Sequence, residues 1–207
     1  PRTRGRRFEI LETLRQFGRE KLAGGIREEA AIRDRAARHY LGRLINARAS
    51  LEGAGQKKTL QNLTRDRHHL RSAWLRAAER GWTTEMAKAM RSLFLFYDMS
   101  SRVAEGAEAF GLAVRYLTRA PGGARKCAAS LWERRLLALS RVAQAWFIRW
   151  EDPDRCHKLM RQGQRGLSSV GRPDERAFAE VFATIVDTAS AHVDCVLREG
   201  ASYCEKA

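Results

Sequence analysis

The stretch LWERRLLALSRVAQAWFIRW, residues 131–150, decides the fold class. Within it Trp132, Leu136, Leu139, Ala143, Trp146 and Trp150 recur at steps of four, three, four, three and four. That is the 3.6-residue period of a helix that hides one stripe. Asp152-Pro153 follows at once. A short carboxylate there accepts from the free amides of a new first turn, and proline at the first helical position gives up a donor that had no partner anyway. The next helix carries Cys156, Leu159, Met160, Gly163 and Leu167 inward and ends near Gly171. Two helices of this length joined by so short a turn must fold back on each other.

Working outward, the same grammar covers the chain. Upstream, a first helix is predicted over Phe8–Ala23, with Ile10, Leu14 and Phe17 on one stripe, stopped by Gly24-Gly25. A second spans about Arg27–Ala49, with Ile32, Ala36, Tyr40, Leu44 and Ala47 inward. After Gly53 and Gly55, a third spans about Lys58–Arg80 through Leu60, Leu63, Leu70, Trp74 and Ala77, closed by Gly81. Thr83 or Thr84 is expected to cap a fourth, with Met86, Met90, Leu93 and Tyr97 buried. Ser100 or Ser101 is expected to cap a fifth, containing Val103, Ala107, Phe110, Val114 and Leu117, before the break at Pro121-Gly122-Gly123. Downstream, Pro173-Asp174 opens an eighth with Phe178, Phe182, Ile185 and Ala189 inward, and a ninth is expected from near Val193. No alternating strand pattern is present.

The expected fold is therefore all-α, about nine helices stacked as antiparallel pairs in a right-handed solenoid. The helical pattern still runs at Glu205-Lys206-Ala207, so the array is expected to continue beyond this point. No apolar run approaches the roughly 20 residues of a membrane span. No apolar core follows the basic start, so no signal peptide is expected and the compartment is read as the cytoplasm.

The 207 residues carry a net charge of +15, unevenly placed. Residues 1–80 hold 20 Lys/Arg against 9 Asp/Glu, beginning with Arg2, Arg4, Arg6 and Arg7. Those four are candidate anion or nucleic-acid contacts. The plain alternative is a set of helices with arginine on their wet faces.

Enzymatic chemistry is not expected. Cys127, Cys156, Cys195 and Cys204 form no C-x-x-C pair and read as buried thiols. His68 and His69 are adjacent and point about 100° apart on a helix, while His39, His157 and His192 are isolated, so no metal site is expected. Glu151, Asp152 and Asp154 are explained by the positive end of a helix. Phosphate-loop, zinc-protease and nucleophile-elbow motifs are absent, so no cofactor is expected and ATP is not bound by this stretch.

From Arg134 to Leu167 the chain resembles a tetratricopeptide repeat of 34 residues. Ala143 and Phe147 occupy packing positions of its first helix, and Cys156, Met160 and Gly163 those of its second; Gln144 stands where glycine is usual. A second resemblance lies further upstream. Arg7-Phe8-Glu9-Ile10-Leu11-Glu12-Thr13-Leu14-Arg15-Gln16-Phe17-Gly18-Arg19-Glu20-Lys21-Leu22 is similar to the helix that closes the winged-helix module of STAND-class regulatory ATPases. These are the LuxR-type and antibiotic-regulatory-type transcriptional activators. Arg33-Asp34-Arg35 through Arg38-His39-Tyr40-Leu41, Arg65-Asp66-Arg67-His68-His69-Leu70-Arg71-Ser72-Ala73-Trp74, and Ala104-Glu105-Gly106 with Phe110 resemble its following segments. His68-His69 replaces an acidic-amide pair and Phe110 a tryptophan.

The resemblance implies residues 1–24 as the basic end of that module and 25–207 as a TPR-like repeat domain. It also implies a non-catalytic domain that senses an effector or binds a protein or peptide, contacting an ATPase core encoded upstream. Trp132 and Trp146 read as core. Arg134, Arg141 and Arg149, with Trp150 at the helix end, are the candidate partner-binding groove, suited to an acidic peptide or anion. A nucleic-acid-binding helical protein and a stand-alone scaffold are the alternatives.

Overall fold

The computed structural model describes residues 12, 13, 16–18, 26–118 and 130–204, the residues from 189 onward as backbone only. All regular structure among these residues is helical. The eight helices with both ends described are α1 (Ile26–Leu51), α2 (Gln56–Arg65), α3 (Arg67–Arg80), α4 (Thr83–Met99), α5 (Val103–Thr118), α6 (Leu131–Ile148), α7 (Pro153–Val170) and α8 (Pro173–Cys204).

The chain divides into two compact units, Pro1–Ala36 and Ala37–Ala207. In the first, residues 12, 13 and 16–18 are helical, and Glu29 pairs with Arg33 one turn on. Phe17 and Ile32, expected inward, are exposed. Ile10 and Leu14 lie outside the described residues.

In the second unit the close backbone approaches join helices that are consecutive or next but one, and side chains of α4 and α8 also meet. Thus α2, α4, α6 and α8 are joined by successive contacts, while α3 packs against α5, and α5 and α7 each pack against α6. Helix α6 sits at the centre, against α4, α5, α7 and α8. Leu136, Ala138, Leu139, Val142, Ala143, Ala145, Phe147 and Ile148 are all buried, because those neighbours close on it. The start of α6 is fixed by a capping box: Ser130 accepts from the amide of Glu133 at 3.2 Å, and Glu133 accepts from that of Ser130 at 3.0 Å. Asp152 caps α7 as expected, accepting from the Arg155 amide at 3.1 Å.

Glycines set how closely α6 is approached. A Cβ on Gly106 of α5 would stand 2.9 Å from the Phe147 ring, and one on Gly111 2.7 Å from the Gln144 amide nitrogen. Gly111 thus leaves a notch that the Gln144 side chain fills. On α7, a Cβ at Gly163 would lie 2.5 Å from Val142 Cγ2 and 3.0 Å from the Ala138 carbonyl. Gly163→Ala gains up to about 1 kcal/mol of helix propensity. It must also push two backbones apart, an overpacking cost of about 1–3 kcal/mol that wins here. Chemical denaturation is expected to show Gly163→Ala less stable than the parent by about 1 kcal/mol or more. Gly42→Ala, with nothing within 4 Å of the new methyl, is expected to be more stable.

Several boundaries differ from the sequence expectation. The helix expected across 58–80 is broken at Asp66, whose carboxylate is 1% exposed and paired with Arg43 of α1. Holding that carboxylate inside turns the backbone out of helical register for one residue. Thr83 and Thr84 do not cap α4; Trp82 is the N-cap residue and no side chain bonds there. Ser100 ends α4 instead of starting α5, and Ser101 takes a left-handed φ of 54° in the turn. The break expected near Val193 is absent, α8 running unbroken to Cys204.

Exposure also revises individual residues. Ala37, rather than Ala36, joins Leu41, Leu44, Ala47 and Leu51 on the buried stripe of α1. Val103 and Ile185 are exposed. Cys156 is a buried free thiol; the side chains of the other three cysteines and of Ala189 lie outside the described residues.

Candidate recognition face on α4, α6 and α8

The layer built from α4, α6 and α8 is held together by rings. Phe94 of α4 lies 5.4 Å from Phe147 of α6, and 5.2 and 5.4 Å from Phe178 and Phe182 of α8, centroid to centroid. Phe182 meets Trp146 edge-on at 4.2 Å. Phe178, Phe182 and Trp146 are only partly buried, so this layer presents aromatic surface to solvent.

Guanidinium groups cover that surface. Arg91 lies 4.6 Å above Phe178, Arg135 5.2 Å from Trp132, and Arg149 3.8 Å above Trp146. A planar cation with weakly held water suits the electron-rich face of a ring. Arg91 and Arg135 are each neutralised, the first by Glu52 at 3.1 Å. The second meets both carboxylate oxygens of Glu175, at 2.9 and 2.7 Å from its Nε.

Arg149 is different. Its guanidinium donates to the Trp146 carbonyl and sits between the Trp146 ring and that of Trp150, 5.4 Å away. Burial holds it below its ordinary pKa, partly offset by Asp98. The carboxylate of Asp98 accepts the Trp146 indole N–H at 2.7 Å, which orients that ring. Trp150 itself is 63% exposed, the most exposed large hydrophobic side chain described. A cation stacked on one indole beside a second, open indole offers charge, an apolar plate and free guanidinium donors within one small area.

The four groove candidates do not form one line. Arg149 is eight residues past Arg141, about 80° round the helix. Arg141 is half-buried, its Nε lacks a hydrogen-bond partner, and burial lowers its pKa. Arg134 reaches toward α7, 3.4 Å from Ser169 Oγ. So the structure joins Arg149 with Trp150 and adds Trp146, while Arg134 and Arg141 lie on another flank. Trp132 and Trp146, expected in the core, are half-buried. Arg2, Arg4, Arg6 and Arg7 lie outside the described residues.

Nucleophile and metal chemistry find no support among the described residues. Burial, with help from Asp187 and Asp152 and against Arg149, raises the Cys156 thiol to about 11, so it is protonated at neutral pH. Tyr97 is raised to about 12, chiefly by burial. No three His, Cys, Asp or Glu side chains are placed to share a metal. His157 pairs with Asp187 at 3.3 Å, and His69 stacks on Tyr40 at 4.7 Å. No described helix is long and apolar enough to cross a membrane. No family model, curated protein or solved structure matches this chain.

Proposed function

We propose that this chain is a non-catalytic helical-repeat domain that binds a protein or peptide partner, its helices stacked as a TPR-like solenoid. The observation that carries the reading is the open indole of Trp150 beside the stacked guanidinium of Arg149. It stands at the end of α6, which packs against both α4 and α8, whose own rings also meet. Consecutive and next-but-one packing is what a row of repeats produces, and such rows use the shared face of alternate helices to hold an extended segment. Exposed Trp and Arg are the residue types that carry most binding energy at interfaces.

The resemblance of residues 7–22 and of the segments after it supports reading such a domain as part of a STAND-type transcriptional regulator of the cytoplasm. There it would contact the ATPase core or sense an effector. A gene whose product carries no phosphate-loop domain ahead of these residues would remove that parentage and leave a stand-alone scaffold.

The test is a peptide panel, acidic and neutral, read by the emission of the exposed indole and by titration calorimetry. Peptides carrying a carboxylate beside an aromatic or aliphatic residue are expected to bind. Trp150→Ala is expected to weaken them by roughly 2 kcal/mol, about 30-fold. Arg149→Gln should weaken the acidic peptides more than the neutral ones. Binding that is indifferent to both substitutions would move the site elsewhere.

A further inference from the structure

The outer face of α7 is a second charged surface, on a different helix from the aromatic one. Arg155, Lys158, Arg161 and Arg165 are all exposed, while Cys156, Met160, Gly163 and Leu167 are buried behind them. The steps of three, three and four keep the cations on one side across about 15 Å of helix. Asp154, at the first turn, is the single carboxylate in the helix. Arg134 of α6 extends the row at its far end, beside Ser169.

Several arginines on other helices do meet carboxylates. Arg33 meets Glu29, Arg48 meets Glu52, Arg71 meets Glu108, Arg76 meets Glu79 and Arg102 meets Glu105. None of the four cations on α7 has a carboxylate partner among the described residues. Like charges one turn apart repel, so an unneutralised row costs stability, and a bound polyanion would remove that cost.

We propose that this face of α7 binds the phosphate backbone of nucleic acid without reading its sequence. The face has no exposed aromatic or aliphatic anchor, which a protein hot spot requires. A membrane-surface helix would offer its apolar side to lipid, but the apolar side of α7 is spent on α6 and α8. What remains is a set of cations and hydroxyls, one or more per turn, which is the equipment of phosphate contacts. The inference is independent of the peptide site.

The experiment is fluorescence anisotropy of the full chain with a labelled 24-base-pair duplex of arbitrary sequence, across a salt series. Four phosphate contacts predict a log–log slope of about −3.6, a loss of about 150-fold between 50 and 200 mM salt. The Arg155→Gln, Lys158→Gln, Arg161→Gln, Arg165→Gln variant is expected to lose at least 100-fold at low salt. A control with the same change in charge, Lys57→Gln, Lys58→Gln, Arg65→Gln, Arg67→Gln, should stay within about fivefold of the parent. Equal losses in the two variants would reduce the effect to net charge and overturn the proposal. So would no duplex binding by the parent, or capture of phosphatidylserine vesicles in its place. If the fourfold variant does not give a native far-ultraviolet spectrum, Arg161→Gln and Arg165→Gln singly should each lower the slope by about one; unchanged slopes would overturn the assignment.

Discussion

Phe94→Ala is expected to destabilise the chain by about 3–5 kcal/mol, the range for emptying a buried aromatic site. Phe94 is 2% exposed and its ring meets Phe110 of α5, Phe147 of α6, and Phe178 and Phe182 of α8. Truncation removes the shared partner of four rings, and three separate helices would have to move inward to refill the space. Close-packed helices cannot make that movement independently, so most of the cavity persists. In thermal unfolding the loss amounts to roughly 6–20 °C for a domain of this size. Phe94→Leu, which keeps much of the volume, should lose less than half as much. Val181→Ala, on the exposed side of α8, should change stability by less than about 0.5 kcal/mol. A Phe94→Ala variant within 3 °C of the parent would show that the aromatic layer does not hold these helices together.

The second large effect is expected at Arg43, and its asymmetry is the informative part. Arg43 is 37% exposed, whereas the carboxylate of Asp66 is 1% exposed. Removing the guanidinium strips the interior carboxylate of its Arg43 cation, a loss of up to about 3–5 kcal/mol. Removing the carboxylate leaves a cation that can turn to water, and costs less. Urea denaturation is therefore expected to rank Arg43→Met below Asp66→Asn. The double variant, Arg43→Met with Asp66→Asn, should recover much of the Arg43→Met loss, because a neutral amide no longer needs a counterion. If Arg43→Met and Asp66→Asn lose the same amount, the carboxylate is not desolvated in solution. If Arg43→Met alone is neutral, the pair does not hold the break between α2 and α3.

The candidate recognition face was partly legible beforehand. Trp150 next to an arginine at a helix end pointed outward on spacing alone, and the structure places the two side by side. Trp146 was read as core from the same spacing, yet it is half-buried, because the surface of its neighbour Phe182 is itself partly open. Arg134 and Arg141 share a flank of α6, and Arg149 stands about 80° round the helix from Arg141. The capping box at Ser130-Leu131-Trp132-Glu133 is legible in the sequence as a Ser-x-x-Glu motif. The α7 row was also readable, as cations at steps of three and four, but that none has a partner is visible only in three dimensions.

The sequence by itself determined the class of fold and most of the helices. Apolar spacing of three and four, the Asp-Pro start of α7 and the glycine after α3 act within one or two turns, and local chemistry is enough to place them. Gly81 takes its left-handed φ of 67° where the helix was expected to stop. Only the tertiary structure decided the break at Asp66 and the unbroken run of α8. The break depends on Arg43, 23 residues away in sequence. The closeness of α5 to α6 depends on Gly111 facing Gln144 across an interface. These are energies of pairs far apart along the chain, and no local pattern contains them.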